Sequence, residues 1–281
     1  ASITKPFTTA LIADLMIKNE IDITSPIEHY LPVFKDVLAE SNRTITLEDL
    51  INHTSGLPRN ATNTTVEDSN RYSDYTINDL NDYLSSYKVT DTTKTYEYSS
   101  LAYLALELAI EKKMKTTYEA LIDKRILKPL DMNDSYFVVP EDKRNRLVAP
   151  FRNGEQVEEL DMGIFPAGGG LKMSAKDMLR FLEAQLGMYS SNLDEALKLT
   201  QKEWFSDSEH TLGLSWSIMK REESGKTIIY HKGGSNGFVS FAGFNVEDQI
   251  GVVVLVNGIR WFSDLGLKIL DPSYPLGHVE L

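Results

Sequence analysis

Ala1-Ser2-Ile3-Thr4-Lys5-Pro6-Phe7 opens the chain and sets a hydroxyl and an amine three residues apart. In a helix that spacing puts Ser2 and Lys5 on one face, one turn apart. A hydroxyl beside an amine that can give up its proton is a minimal activated nucleophile. The stretch runs on into Phe7, Leu11, Ile12, Leu15 and Met16, an apolar stripe at helical spacing, so an amphipathic helix is predicted over 4–19. Ser-x-x-Lys recurs at Ser85/Lys88 and Ser217/Lys220. The first recurrence sits at the fraying end of a short predicted helix with no apolar run after it. The second lies on a predicted strand, where an i, i+3 pair points to opposite faces.

The 281 residues of the chain carry an ordinary globular composition, 42% hydrophobic and 25% charged. The length allows one large domain or two lobes with ample core. Net charge is −12, and the longest basic cluster is Lys112-Lys113, so nucleic acid is not an expected partner. The absence of cysteine excludes disulfides, thiolate metal sites and a cysteine nucleophile. No His or carboxylate pair has metal-ligand spacing, and no metal or cofactor is expected. The longest apolar run, 250–256, is too short to span a bilayer, and no signal peptide is visible. A chain opening on a candidate nucleophile looks like a fragment, which leaves room for a targeting segment that this sequence does not contain.

After Thr24-Ser25-Pro26 a short turn-helix is expected, with Pro26 at its first helical position. Further helices are read over 45–53, 76–87, 101–111 and 118–127, and a long polar loop over 59–75. A turn is read over 91–95. Pro166-Ala167-Gly168-Gly169-Gly170 is the sharpest break, followed by a helix capped at Ser174-Ala175-Lys176-Asp177 and running to Leu186. From 212 on, the segments 212–219, 227–231, 239–245 and 251–256 alternate or run apolar, an antiparallel meander of about four strands. The fold class is therefore α+β: an antiparallel sheet flanked by helices, plus a mostly helical lobe. One catalytic domain over 1–281 is expected, with 1–25 and 166–281 forming the sheet lobe and 26–165 the helical lobe.

Two later stretches carry further chemistry: Tyr98-Ser99-Ser100 at a loop-to-helix junction, and His231-Lys232-Gly233-Gly234 at a strand end. Singly each has a bland reading, as a packing tyrosine or a glycine turn. In order, with Leu31-Pro32-Val33-Phe34, His53-Thr54-Ser55-Gly56-Leu57-Pro58, Gly168-Gly169-Gly170-Leu171 and Leu212-Gly213-Leu214-Ser215-Trp216, they resemble the serine β-lactamase and penicillin-binding-protein superfamily, in its class C β-lactamase-like branch with DD-carboxypeptidases and esterases. The resemblance spans about residues 2–257. It implies a β-lactamase/transpeptidase-like sandwich and an acyl-enzyme mechanism. Ser2 is the implied nucleophile, with Lys5 and Tyr98 moving its proton. The amides of Ser2 and Gly234 are the implied oxyanion donors, and Ser100, His231, Gly233 and Ser235 line the substrate.

Two positions depart from that pattern. Ser100 replaces the family Asn, removing an amide that would meet a substrate carbonyl. His231 stands where class C β-lactamases carry the Lys of Lys-Thr-Gly, and strand alternation aims His231 at the site and Lys232 away from it. A His there binds a substrate carboxylate when charged, or a hydroxyl or ester when neutral. Both changes favour a peptidase-like or esterase-like enzyme acting on D-alanyl peptides or esters of the bacterial cell wall, outside the cytoplasm. The alternatives are β-lactam hydrolysis, with β-lactams as covalent ligands, and a non-catalytic cell-wall ligand-binding module. Family members carry strands before the nucleophile, so self-association or a complementing N-terminal segment is expected here. His53 is expected to brace the Thr54-Ser55-Gly56 turn, Asp177 to start its helix, and His29, His210 and His278 to lie at the surface.

Overall fold

The first helix is buried on every side. A computed structural model describes residues 1–41, 43–65, 70–90 and 93–276. In it a 3-10 turn, Ser2–Thr4, leads into α1 (Lys5–Ile17), and every residue from Lys5 to Leu15 is buried. The expected one-sided stripe is thus corrected: α1 runs through the middle of the molecule. Its polar positions are satisfied internally, as buried groups require. Thr8 Oγ1 donates to Ala167 O at 2.9 Å and Thr9 Oγ1 to Leu214 O at 2.8 Å.

The helices that follow are α2 (Phe34–Val37), α3 (Leu47–Ile51), α4 (Ile77–Ser86), α5 (Ser100–Met114), α6 (Tyr118–Ile122), α7 (Ala175–Gln185), α8 (Asp194–Thr200) and α9 (Ser263–Leu270). Capping boxes start two of them, Thr46 with Asp49 for α3 and Thr76 with Asp79 for α4. Ser174 caps α7 by accepting from the amide of Asp177, as expected. Pro26 does not begin an α-helix; it precedes a 3-10 turn at Ile27–His29. α8 and α9 were not expected.

Strands β1 (Ser135–Tyr136), β2 (Phe151–Arg152), β3 (Glu155–Gln156) and β4 (Lys172–Met173) make two short ladders, β1 with β4 and β2 with β3. The main sheet is antiparallel, built from β5 (Phe205–Ser206), β6 (Thr211–Leu212), β7 (Ser217–Lys220), β8 (Thr227–Gly234), β9 (Val239–Asn245) and β10 (Ile250–Val256) in the order β10-β9-β8-β7-β6-β5. The segment read as one strand over 212–219 is two. Ser215 takes φ +62° between them, and Gly213 sits so close to Thr200 O that a Cβ would overlap it.

Alternation along the sheet sorts its side chains into two layers. Ala242, Phe244 and Ile229 join the large core around α1, α5 and α7. Phe241, Ile228 and Val252 pack with Leu267 and Leu270 of α9 on the other face. The α+β sandwich predicted from sequence is the observed architecture. His29 is exposed, and the half-buried His210 ring lies tilted against Tyr96, with ring centres 4.1 Å apart. His278 lies outside the described residues, as do parts of the segments 59–75 and 91–95.

Candidate active site

Ser2 stands at the head of α1, where its side chain meets two groups. Tyr98 Oη donates to Ser2 Oγ at 2.9 Å, and Lys5 Nζ lies 3.3 Å from the same oxygen. Lys5 is fully buried and also donates to Gly168 O at 2.6 Å. Its ammonium faces the rings of Tyr98 and Tyr103, 5.2 and 5.0 Å from their centres. The three residues named from sequence are therefore brought together. Ser85 and Lys88 are not a comparable pair: Lys88 Nζ is spent on the carbonyls of Ser85 and Asp36.

Local structure fixes Tyr98. Ser99 caps α5, accepting from the Ala102 amide at 3.0 Å and donating to Pro58 O at 2.7 Å. His53 adopts φ +58° and its Nδ1 accepts from the Ser99 amide at 3.1 Å, with its ring 4.4 Å from that of Tyr98. His53 thus braces the Tyr98 loop, a different role from the expected one of bracing its own turn. Burial, then the charge of Lys5, holds His53 well below the usual histidine range, so it is neutral. Burial pushes the Tyr98 phenol up. The charge of Lys5, hydrogen bonds from Lys5 and Ser2, and the Arg59 guanidinium outweigh it and leave the phenol below its usual 10.0.

The strand β8 supplies the other wall. β7 stops pairing opposite Tyr230, so residues 231–234 pair only with β9 and leave one edge open. The head of α1 docks there, because Gly233 has no side chain: a Cβ would lie 3.0 Å from Ser2 N and 3.1 Å from Ile3 N. His231 is buried and Lys232 exposed, as alternation predicts. Burial, then the charge of Lys5, lowers His231 to about 3. Its Nδ1 lies 2.7 Å from Lys232 O, an acceptor, so Nδ1 carries the proton and Nε2 is an acceptor. Of the two forms of His231 weighed from sequence, charged and neutral, this surrounding favours the neutral one. Ser100 and Ser235 line one cleft with Ser2 and Gly234.

A family model described as Beta-lactamase matches residues 1–268. The chain belongs to the beta-lactamase family. It is a serine hydrolase of that family. Among curated relatives, it is 26% identical over 270 residues to the D-alanyl-D-alanine-carboxypeptidase/endopeptidase AmpH of Escherichia coli K12, covering 91% of this chain and 69% of that protein. It is 25% identical to Protein flp of Staphylococcus aureus N315, covering 92% of this chain and 52% of the relative, so it spans about half of that protein. A solved class C beta-lactamase superposes with a TM-score of 0.84 at 21% identity, covering 99% of this chain and 82% of that one, and shares the fold.

Within this beta-lactamase-family site three contributors escaped the sequence reading. Gly168 supplies a carbonyl, which leaves no side-chain signature. Arg59 places its guanidinium 5.0 Å from the Tyr98 ring centre. Glu107 Oε2 accepts from the Ala167 amide at 2.7 Å and so holds the turn that carries Gly168. An acid between Leu106 and Leu108 in an apolar helix was the available signal. Among the described residues, no group of three or more His, Asp and Glu side chains is arranged to hold a metal ion, and no helix is long and apolar enough to cross a membrane.

Proposed function

We propose that the chain hydrolyses D-alanyl peptide or ester bonds of the bacterial cell wall through an acyl-enzyme on Ser2. The observation that carries this is the meeting of Tyr98 Oη and Lys5 Nζ at Ser2 Oγ. With the phenol of Tyr98 lowered and Lys5 beside it, the pair takes the Ser2 proton as Oγ attacks the acyl carbonyl. The amides of Ser2 and Gly234 receive the oxyanion. The proton then passes to the departing amine or alkoxide, and water, activated by the same pair, releases the acyl group. The site sits between the sheet lobe, 1–25 with 166–281, and the helical lobe, 26–165. The relative AmpH, a D-alanyl-D-alanine-carboxypeptidase/endopeptidase by name, supports the substrate class. A substrate in the wall places the protein outside the cytoplasm.

The test is a hydrolysis panel of a D-alanyl peptide, a D-alanyl ester, a small neutral ester and a β-lactam, with Ser2→Ala as the blank. Turnover of a D-alanyl substrate by wild type and none by the blank is expected. Equal turnover by the blank overturns the nucleophile, and β-lactam turnover alone overturns the substrate class. Light scattering of the same preparation tests self-association.

A further inference from the structure

Both groups that meet at Ser2 trace back to one helix. Tyr98 stands immediately before Ser99, the cap of α5. About two turns further on, the same helix presents Glu107, whose Oε2 accepts from the Ala167 amide at 2.7 Å. The surrounding Leu104, Ala105, Leu106, Ala109 and Ile110 are all buried, and Glu107 itself is 1% exposed. A carboxyl in such a place costs free energy unless a hydrogen bond answers it, and an apolar residue would suit the packing of α5 better. The packing of α5 therefore gives no reason for Glu107, whereas the turn that it holds does.

That turn, Pro166–Gly168 with the two glycines after it, is pinned residue by residue. The Ala167 carbonyl accepts from Thr8 Oγ1 at 2.9 Å, the Gly168 carbonyl from Lys5 Nζ at 2.6 Å, and the Leu171 amide donates to Thr4 Oγ1 at 3.2 Å. These three contacts all come from residues 4–8, so on their own they would let the turn and the start of α1 shift together. Glu107 adds a hydrogen bond from a second element, α5. The amides of Gly169 and Gly170 both donate to Pro166 O, and a Cβ on Gly170 would lie 2.7 Å from the Pro166 side chain, so the turn is tightly wound and moves as a unit. Where the Ala167 amide is held therefore decides where the Gly168 carbonyl sits, and with it where Lys5 Nζ rests.

We propose that Glu107 is a positioning residue for the amine of Lys5: through the Ala167 amide it sets the Gly168 carbonyl, and through that carbonyl the approach of Lys5 Nζ to Ser2 Oγ. One helix then fixes both proton-handling groups, Tyr98 ahead of its cap and Lys5 through Glu107. This rests on Ser2 being the acylated nucleophile. A displacement of about 1 Å at a reacting pair costs up to about a hundredfold in rate, so a small movement of the turn is enough to be read in acylation.

The experiment measures single-turnover acylation by the p-nitrophenyl ester of N-acetyl-D-alanine in wild type, Glu107→Gln, Glu107→Asp and Glu107→Leu. Glu107→Gln keeps an acceptor for the Ala167 amide and is expected to hold the rate within about threefold of wild type. Glu107→Asp withdraws the acceptor by one methylene and Glu107→Leu abolishes it. Both are expected to lower the rate at saturating ester about tenfold or more, with the half-saturating concentration changed less than about twofold. Leu270→Ala, in the core on the other face of the sheet, reports what lost stability alone does and is expected to acylate as wild type does. In protein carrying isotope-labelled lysine, the NMR resonance of Lys5, identified by its absence in Lys5→Met, is expected to move in Glu107→Leu and to return in Glu107→Gln. Wild-type rates in both Glu107→Asp and Glu107→Leu overturn the proposal. So do a Glu107→Gln as slow as either, an equal loss in Leu270→Ala, or a Lys5 resonance that is the same in every Glu107 variant. A resonance that moves while wild type is not acylated sinks the hydrolytic reading alone and leaves the positioning role standing.

Discussion

Lys5 Nζ lies closer to the carbonyl oxygen of Gly168, at 2.6 Å, than to Ser2 Oγ, at 3.3 Å. The amine is anchored by the backbone and merely leans on the nucleophile. Among the described residues it has no carboxylate within ion-pair distance, so its charge is buried against a carbonyl and two aromatic faces. Burying a charge that way costs several kcal/mol, and cation–π contacts of roughly 1–2 kcal/mol return only part. Lys5→Met, which fills the same volume without charge, is expected to raise unfolding stability by about 1–2 kcal/mol while lowering acylation by about a hundredfold or more. Urea melts and single-turnover acylation check both halves. A variant less stable than the parent would show that the amine is net stabilising.

The buried histidines make stability fall in mild acid. His231 is lowered from 6.5 to about 3, and His53 well below 6.5, in the folded protein. Below pH 6.5 the unfolded chain takes up protons that the folded histidines refuse until far lower pH. The unfolded state then binds more protons, and stability rises with pH across that window. The slope is about 1.4 kcal/mol per pH unit for each histidine. His231→Gln, which keeps a donor for Lys232 O, is expected to remove one such increment between pH 6 and pH 4. An unchanged slope in melts over that range would mean that His231 is solvated in the folded state.

The core of this site was legible because its chemistry resides in side chains at periodic positions. Ser2 and Lys5 lie one helical turn apart, and His231 and Lys232 alternate on β8. β9 was read to the residue for the same reason, since Phe241 faces one core and Ala242 and Phe244 the other. What escaped depends on tertiary contact. α9 carries Gly266 within an eight-residue helix, a poor helix former, and the glycine is there because Phe241 packs onto it. The break between β6 and β7 turns on the φ of Ser215. The cleft beside Ser2 gathers Arg59, Arg71 and Arg152 of β2 from separate segments, a grouping no local pattern encodes.

Glu107 supports the lysine at one remove. Its carboxylate accepts from the Ala167 amide, and the next residue supplies the carbonyl that holds Lys5. Burial raises its carboxyl well above the usual range, more than the Ala167 hydrogen bond lowers it. A raised folded value means that the stabilising contribution is complete below the unfolded value of 4.5 and is lost as pH rises through the folded one. Glu107→Gln keeps an acceptor without that titration. Its stability relative to the parent is therefore expected to increase from pH 5 to pH 9. Glu107→Leu leaves the Ala167 amide buried without a partner and is expected to cost about 1–3 kcal/mol. Paired melts at the two pH values decide it: a pH-independent difference for Glu107→Gln means that the carboxyl is already ionised when folded.

Gly233 sets how closely the sheet approaches the nucleophile. A methyl group there would overlap Ser240 Oγ and press on the amides of Ser2 and Ile3. Gly233→Ala is therefore expected to destabilise by about 1–3 kcal/mol through overpacking and to displace Ser2 from Tyr98 and Lys5. The two effects have different sources and separate in a double variant. Ser240→Ala removes the hydroxyl that the new methyl overlaps, so Gly233→Ala/Ser240→Ala is expected to regain most of the lost stability. It does not move the methyl away from the Ser2 amide, so acylation stays slow. Melting temperature and acylation rate measured on the three variants test this. Recovery of the rate along with stability would mean that Ser240 alone feels the methyl, and that α1 has room to shift without cost to the site.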